Sequence, residues 1–259
     1  MRLILTTLAL SLIPAALIPA QAMAQQCVAA QVDALPKISR PAAEPVKPVA
    51  KHPINVYSFV MSWTPSYCAG LKGPLKDPGD KLQCGQDKPP FGLVVHGLWG
   101  ETDGTSWPQW CATKAPAPTL PQLQKHLCIM PSAATQMHEW KKHGACGPWT
   151  SGGAYWQSVA RLYAKLKKPD LYKLAKDGRM VSDAVVHAFV DANPMFKDHE
   201  KAIQVQTMPA ADGSGKVWLK QVHLCFEPKD IEKGSFVPKA CPAPSSSDLF
   251  IIPTLRKPA

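Results

Sequence analysis

The stretch Ile54-Asn55-Val56-Tyr57-Ser58-Phe59-Val60-Met61-Ser62-Trp63 is bounded by Pro53 and Pro65. Rich in β-branched and aromatic residues, it reads as a strand and marks where regular structure begins. Upstream of it, residues 28–53 carry prolines at 36, 41, 45, 48 and 53 among alanines and lysines. That density excludes helix and favours an extended, solvated segment, so 25–53 reads as an arm or linker. Before the arm come Arg2, the uncharged apolar run Leu3 to Pro19, and Ala22-Met23-Ala24. This is the form of an export leader (1–24) cleaved near Ala24. The run is short and interrupted by proline, which favours a leader over a membrane anchor.

Downstream, Thr64 to Pro90 is turn-rich and reads as a lysine-bearing loop, followed by a short apolar run from Phe91 to Val95. Past Trp99 the chain reads as irregular to about Pro121. A helix is expected over Ser132 to His143, stopped by Gly144. A second is expected over Gly152 to Lys168, where Tyr155, Trp156, Val159, Leu162, Tyr163 and Leu166 recur at helical spacing. Ser182-Asp183 is placed to cap a third, running through Val190. Ile203 to Met208, Val217 to Phe226 and Leu249 to Ile252 read as strands. Mixed helices and strands over 54–259 point to a single α+β domain.

The 259 residues hold 29 Lys+Arg against 19 Asp+Glu, a formal charge of +10, and are 46% hydrophobic. The apolar share excludes a wholly disordered chain. The basic excess predicts attraction to polyanions and survives loss of the leader, whose one charged residue is Arg2. The cysteines are even in number, at 27, 68, 84, 111, 128, 146, 225 and 241, and none form a Cys-x-x-Cys pair. That pattern argues against a zinc ribbon and a thioredoxin-type site. In an exported chain it reads as up to four disulfides, with 105 pairings open to arithmetic alone.

Two segments carry chemistry. Phe91-Gly92-Leu93-Val94-Val95-His96-Gly97-Leu98-Trp99 places a histidine at the end of an apolar strand, where a turn at glycine can aim the imidazole into a cleft. His138-Glu139-Trp140-Lys141-Lys142-His143-Gly144-Ala145-Cys146 gathers two imidazoles, a carboxylate and two ammonium groups on one helix. His138 and Lys142 share a helix face, as do Glu139 and His143. The two histidines are five apart, not the four of a metalloprotease helix, so no metal is expected. Three imidazoles, a lysine and a carboxylate suit cleavage of a phosphodiester by its own 2′-hydroxyl. One imidazole removes a proton, another returns one, and cations stabilise the crowded phosphate. The internal nucleophile needs no metal or other cofactor and restricts the reaction to RNA.

His96-Gly97-Leu98-Trp99 and the segment from His138 to Cys146 resemble, in order and spacing, the two active-site segments of the ribonuclease T2 family. The resemblance extends from Ile54 to the C-terminus. It implies an α+β fold around an antiparallel sheet, and cleavage of single-stranded RNA through 2′,3′-cyclic phosphates to 3′-phosphates. It further implies His143 as general base, His96 as general acid and His138 as a phosphate-holding group, with Glu139 and Lys142 stabilising the transition state. Trp99 is implied as a base-stacking residue, with a core aromatic as the alternative, and Glu101 as a hydrogen-bonding partner of a base. The implied disulfides are Cys68–Cys84, Cys111–Cys146 and Cys225–Cys241, which leaves Cys27 with Cys128. Two positions depart from the family: Gly100 replaces the usual proline, which is expected to loosen the loop beside Trp99, and Ala145 stands where Ser or Thr is common. His52, His126, His187, His199 and His223 match no motif and read as structural or surface residues. The expectation is an exported, monomeric RNA endonuclease, periplasmic or secreted, with no DNA cleavage and no stable membrane association. A silent RNA- or glycan-binding module is the rival, and a secreted metallohydrolase is more remote.

Overall fold

The computed structural model describes residues 32–85, 91–104, 106–246 and 249–251. The leader, its cleavage site, Cys27 and the last expected strand position, Ile252, lie outside the described residues. Strand β1 (Val56–Trp63) is central, pairing antiparallel with β2 (Leu93–Glu101) on one side and with β5 (Val217–Phe226) on the other. Beyond β5 the sheet continues to β4 (Ile203–Pro209), antiparallel, and through one parallel pairing to β6 (Leu249–Ile251), which meets β3 (Arg179–Val181). The fold is α+β around a mainly antiparallel sheet, as expected.

Alternation along β1 and β5 separates two faces. Phe59 and Met61 pair with Leu224 and Val222 and belong to the core. Ser58, Val60 and Ser62 pair with Cys225, His223 and Gln221 on the opposite face. Helices α4 (Ala133–Lys142), α5 (Gly152–Lys165) and α7 (Ser182–Ala192) bring Met137, Trp140, Tyr155, Trp156, Val159, Leu162 and Phe189 into the same core. Ser132 caps α4 by accepting from Thr135 N at 3.2 Å. Ser182 lies inside α7, and its hydroxyl caps nothing there, contrary to expectation.

The structure departs from expectation where proline opens a helix. The supposed loop 64–90 contains α1 (Thr64–Gly70) and α2 (Pro78–Cys84), and the supposedly irregular stretch contains α3 (Leu120–Lys125). All three have proline in the first turn, where its missing N–H costs nothing and its fixed φ suits a helix. Asp77 caps α2 by accepting from Gly79 N at 2.7 Å, and Thr119 and Gln122 form a capping box on α3. The short α6 (Leu171–Leu174) and β3 also lie outside the expected elements.

Disulfides join Cys68 to Cys84, Cys111 to Cys146 and Cys225 to Cys241. Cys128 is also disulfide-bonded. The described part of the arm lacks helix and strand, as composition requires, but it is docked on the domain rather than solvated throughout. Lys47 and Gln109 exchange two backbone bonds, and Gln124 donates to Val32 O. No described helix is long and apolar enough to cross a membrane.

Candidate active site

His96 sits at a break in the β1–β2 register. Val60 pairs with Gly97 and Met61 with Val95, so His96 has no partner on β1. A bulge of this kind re-aims side chains. On a regular strand His96 and Trp99, three apart, would face opposite ways. Across the bulge both line one cleft, their rings 5.1 Å apart. The histidine is therefore mid-strand, not at a strand end, and the strand runs on through Gly97 and Gly100. A Cβ at Gly97 would run into Glu139 Oε2 and the Trp99 indole nitrogen. Gly100 lies in β2 opposite Tyr57, where a Cβ would lie 2.6 Å from Ile54 Cδ1, so it packs closely and does not loosen the chain.

The second segment reaches the same cleft from α4. Met137 and Trp140 anchor the helix in the core, which turns His138, Glu139 and Lys142 to the cleft. His143 is the C-cap residue, and Gly144 opens a short 3₁₀ turn. A Cβ at Gly144 would lie 2.7 Å from Trp140 and 3.0 Å from Tyr155, so glycine permits that packing. Ending the helix here lets two histidines five apart converge. Cys146, two residues beyond Gly144, is tied to Cys111.

Within the cleft, of about 370 Å³, Trp99 is the organising residue. Its Nε1 donates to Glu139 Oε2 at 2.6 Å, and its ring stacks on His143 at 5.0 Å and 25°. It meets His223 edge-on at 5.7 Å. Glu139 Oε1 lies 3.5 Å from His96 Nε2, and Ser62 Oγ is 3.3 Å from His96 Nδ1. Glu101 also lines the cleft, its pKa raised by burial and partly restored by a bond to Ser58.

Burial sets the protonation states. It pushes Glu139 up to about 8, against opposing effects of Trp99 and Lys142. It pushes His96 down to about 4, and His143 well below the usual imidazole value, with Lys142 adding to the latter. Burial thus works against charge on both partners of the His96–Glu139 contact. Burial and Lys142 also lower His138, while Glu44 raises it. Among the described residues, His143 Nδ1 is buried without a hydrogen-bond partner.

The opposite wall comes from β4 and β5: Gln204, Gln206, Lys220, Gln221 and His223. Gln221 Nε2 donates to Gln206 Oε1 at 2.9 Å and lies 2.8 Å from His223 Nε2. His223, read from sequence as structural or surface, faces the cleft with a pKa pushed down to about 3 by burial. The signal was the alternation Gln204-Val205-Gln206 and Gln221-Val222-His223, which sets polar residues on one face. Trp107 also lines the cleft, with 38% of its surface exposed. His126 is buried against Trp156, as a structural residue should be. Among the described residues, no group of three or more His, Cys, Asp or Glu side chains is placed to hold a metal ion.

The model of the ribonuclease T2 family matches residues 54–236, which takes in both histidine segments and both cleft walls. The chain belongs to the ribonuclease T2 family. A probable ribonuclease of Haemophilus influenzae is 33% identical over 137 residues, covering 49% of this chain and 48% of that protein. Ribonuclease DdI of Dictyostelium discoideum is 29% identical over 121 residues, covering 43% and 49%. The chain thus spans about half the length of these relatives. Two solved ribonuclease structures are similar in fold. Ribonuclease MC1 from bitter gourd seeds has a TM-score of 0.55 at 17% identity, covering 76% of this chain and 99% of that one. The Japanese pear S3-RNase has a TM-score of 0.55 at 19% identity, covering 74% and 92%. At these identities the likeness is one of fold.

Proposed function

We propose that this T2-family chain is a metal-independent endoribonuclease that cleaves single-stranded RNA through a 2′,3′-cyclic phosphate to 3′-phosphate products. The observation that carries the reading is the convergence of His96, His138, His143, Lys142 and Glu139 on one cleft from two distant segments. His143, held neutral by burial, is suited to take the 2′-hydroxyl proton. The oxygen of that hydroxyl then attacks phosphorus, and the P–O5′ bond breaks. His96 delivers a proton to the departing 5′-oxygen. Burial disfavours the charged form of His96 too, so it must be charged when the anionic phosphate arrives, which favours the imidazolium. Glu139 is poised to help, because losing its proton beside His96 stabilises that imidazolium. His138 and Lys142 hold the phosphate, and Lys220 adds a cation at the opposite wall. In the second stage water replaces the 5′-oxygen, with the two proton roles reversed.

Trp99 is committed to Glu139 and His143, so the exposed Trp107, with Lys47 Nζ 4.9 Å from its ring, is the cleft indole left to stack a base. Export through the 1–24 leader to the periplasm or medium accords with the disulfides. We take 54–259 as the catalytic domain, monomeric and not bound to membrane. N-terminal sequencing of the mature protein should begin at Gln25.

The deciding experiment digests single-stranded RNA and DNA in EDTA with the wild type, His96→Ala and His143→Ala. RNA alone should yield cyclic-phosphate ends, and both variants should lose activity. Equal cleavage of DNA, full activity in both variants, or binding of RNA without cleavage would overturn the reading.

A further inference from the structure

The arm precedes residue 54, where the family match begins, yet it reaches the cleft. Its hold is specific. Gln109 Nε2 donates to Pro45 O at 2.8 Å, Lys47 and Gln109 exchange backbone bonds of 3.0 and 2.9 Å, and Lys141 Nζ donates to Ile38 O at 2.5 Å. Glu44 projects from the segment so fixed. Its Oε2 accepts from Lys142 Nζ at 2.9 Å and from Trp110 Nε1 at 2.7 Å, and the Trp110 ring meets His138 edge-on at 5.3 Å. The bond from Lys142, followed by that from Trp110, holds the Glu44 carboxyl below its usual range, so it is an anion near neutrality.

Lys142 and His138 stand one turn apart on α4, and as two cations they repel. Lysine also carries its charge on a flexible stem, which by itself fixes no position. Among the described residues, Glu44 is the only carboxylate that meets Lys142 Nζ. An ammonium has three donors, so one bond to Glu44 leaves two for a phosphate. The groups that face His138 are Lys142, His96 and His143, which disfavour its charge or share its charge sign, and Glu44, which favours it.

We propose that Glu44 is a positioning residue of the active site, supplied by the N-terminal arm, which fixes Lys142 Nζ and supports a cationic His138 against the scissile phosphate. The inference rests on the reading of His138 and Lys142 as phosphate-holding groups. It makes the arm part of the catalytic unit rather than a tether. Were Glu44 instead a plug competing with phosphate, its removal would improve substrate capture, so the sign of one substitution separates the two.

The test compares the full chain with Glu44→Gln and Glu44→Asp. Steady-state kinetics on single-stranded RNA in EDTA are followed from about pH 4.5 to 8, the range in which imidazoles titrate. Titration of the His138 imidazole is followed by NMR without substrate. Glu44→Gln should raise KM about 1.5- to fivefold, the range expected of a partly exposed charge pair. Its kcat should change less, the KM rise should begin at lower pH, and the His138 midpoint should fall. Glu44→Asp should recover most of the loss. An unchanged or lowered KM, or an unmoved His138 midpoint, would overturn the proposal. If the wild type fails to cleave RNA, the functional reading fails instead. The His138 midpoint then decides alone: a fall in Glu44→Gln supports the pairing and no change sinks it.

Discussion

The indole of Trp99 donates to Glu139 Oε2 at 2.6 Å and stacks on His143, so one side chain couples the acidic partner of His96 to the imidazole that caps α4. Trp99→Phe keeps the stack and deletes the donor. A buried acceptor without its partner costs about 1–3 kcal/mol, and Tm should fall accordingly. Activity should fall as well, because Glu139 is released from the position that faces His96. A Trp99→Phe protein with wild-type Tm and kcat would show that the bond organises nothing.

The proton-transfer roles give the largest effects. His143→Ala and His96→Ala should each lower kcat about 10²- to 10⁴-fold with folding intact, the usual span for a removed general base or acid. The double variant should be little worse than either single one, because groups that act as a unit do not contribute additively. Circular dichroism would confirm the fold. A loss below about tenfold in His143→Ala would transfer the base role to another group.

How much of this was legible in sequence depended on how local each signal was. The segment His138 to Cys146 lies on one short helix, so helical spacing alone brought its residues together. The bulge at His96 was not legible, because it exists only as a mismatch between two strands more than thirty residues apart in sequence. Gly97 reads as a turn residue and Gly100 as loosening a loop, whereas in the fold they make room for Glu139 and Ile54. Gln204, Gln206, Gln221 and His223 needed the β4–β5 register before their shared face meant anything. Pro65, Pro78 and Pro121 read as breakers because the position of a proline within a helix is invisible until the cap is known. Glu44 is the extreme case, since nothing near it in sequence announces that its carboxylate meets Lys142.

Stability should pass through a maximum near pH 6.5. Burial holds His96 and His126 at about 4 and His223 at about 3, all below the ordinary value of 6.5. As pH falls from 6.5 toward 3, the unfolded chain binds protons that the folded chain refuses, so stability falls. Glu139 acts in the opposite sense. Its folded value of about 8 exceeds the ordinary 4.5, so its contribution is complete below 4.5 and is lost as pH rises to 8. With His143 and His138 lowered in the same sense, these imidazoles outweigh Glu139 below 6.5, and above it Glu139 acts without opposition from them. Thermal melts of the wild type should show both limbs, and Glu139→Gln should lose the decline between 6.5 and 8. A decline of equal size in that variant would assign it to another group.

The Cys111–Cys146 bond closes a separation of 35 residues and clamps the chain just past His143. Trp110, next to Cys111, donates its backbone N–H to Lys142 O at 2.8 Å, so the bridge also braces the end of α4. Replacing both cysteines with alanine should cost roughly 2–4 kcal/mol, measured by chemical denaturation. Activity under fully folding conditions should fall more than in Cys225→Ala/Cys241→Ala, whose bridge ties β5 away from the cleft's helix. Equal activity losses in the two double variants would remove any special role for the Cys111 bridge.

Gly97 follows His96, the unpaired residue of the bulge, and the backbone there passes close under Glu139 and Trp99. Gly97→Ala places a methyl against Glu139 Oε2 and the indole nitrogen, neither of which can retreat: Glu139 is 2% exposed, and Trp99 is stacked on His143. Overpacking of this kind costs about 1–3 kcal/mol. Relief by tilting the indole would break the bond to Glu139 and shift His143 with it. The variant should therefore lose kcat in larger proportion than a neutral site of equal destabilisation, with KM for RNA nearly unchanged, since Lys142 and His138 stand away from the methyl. A rise in KM at constant kcat would place the damage in substrate capture and contradict the geometry.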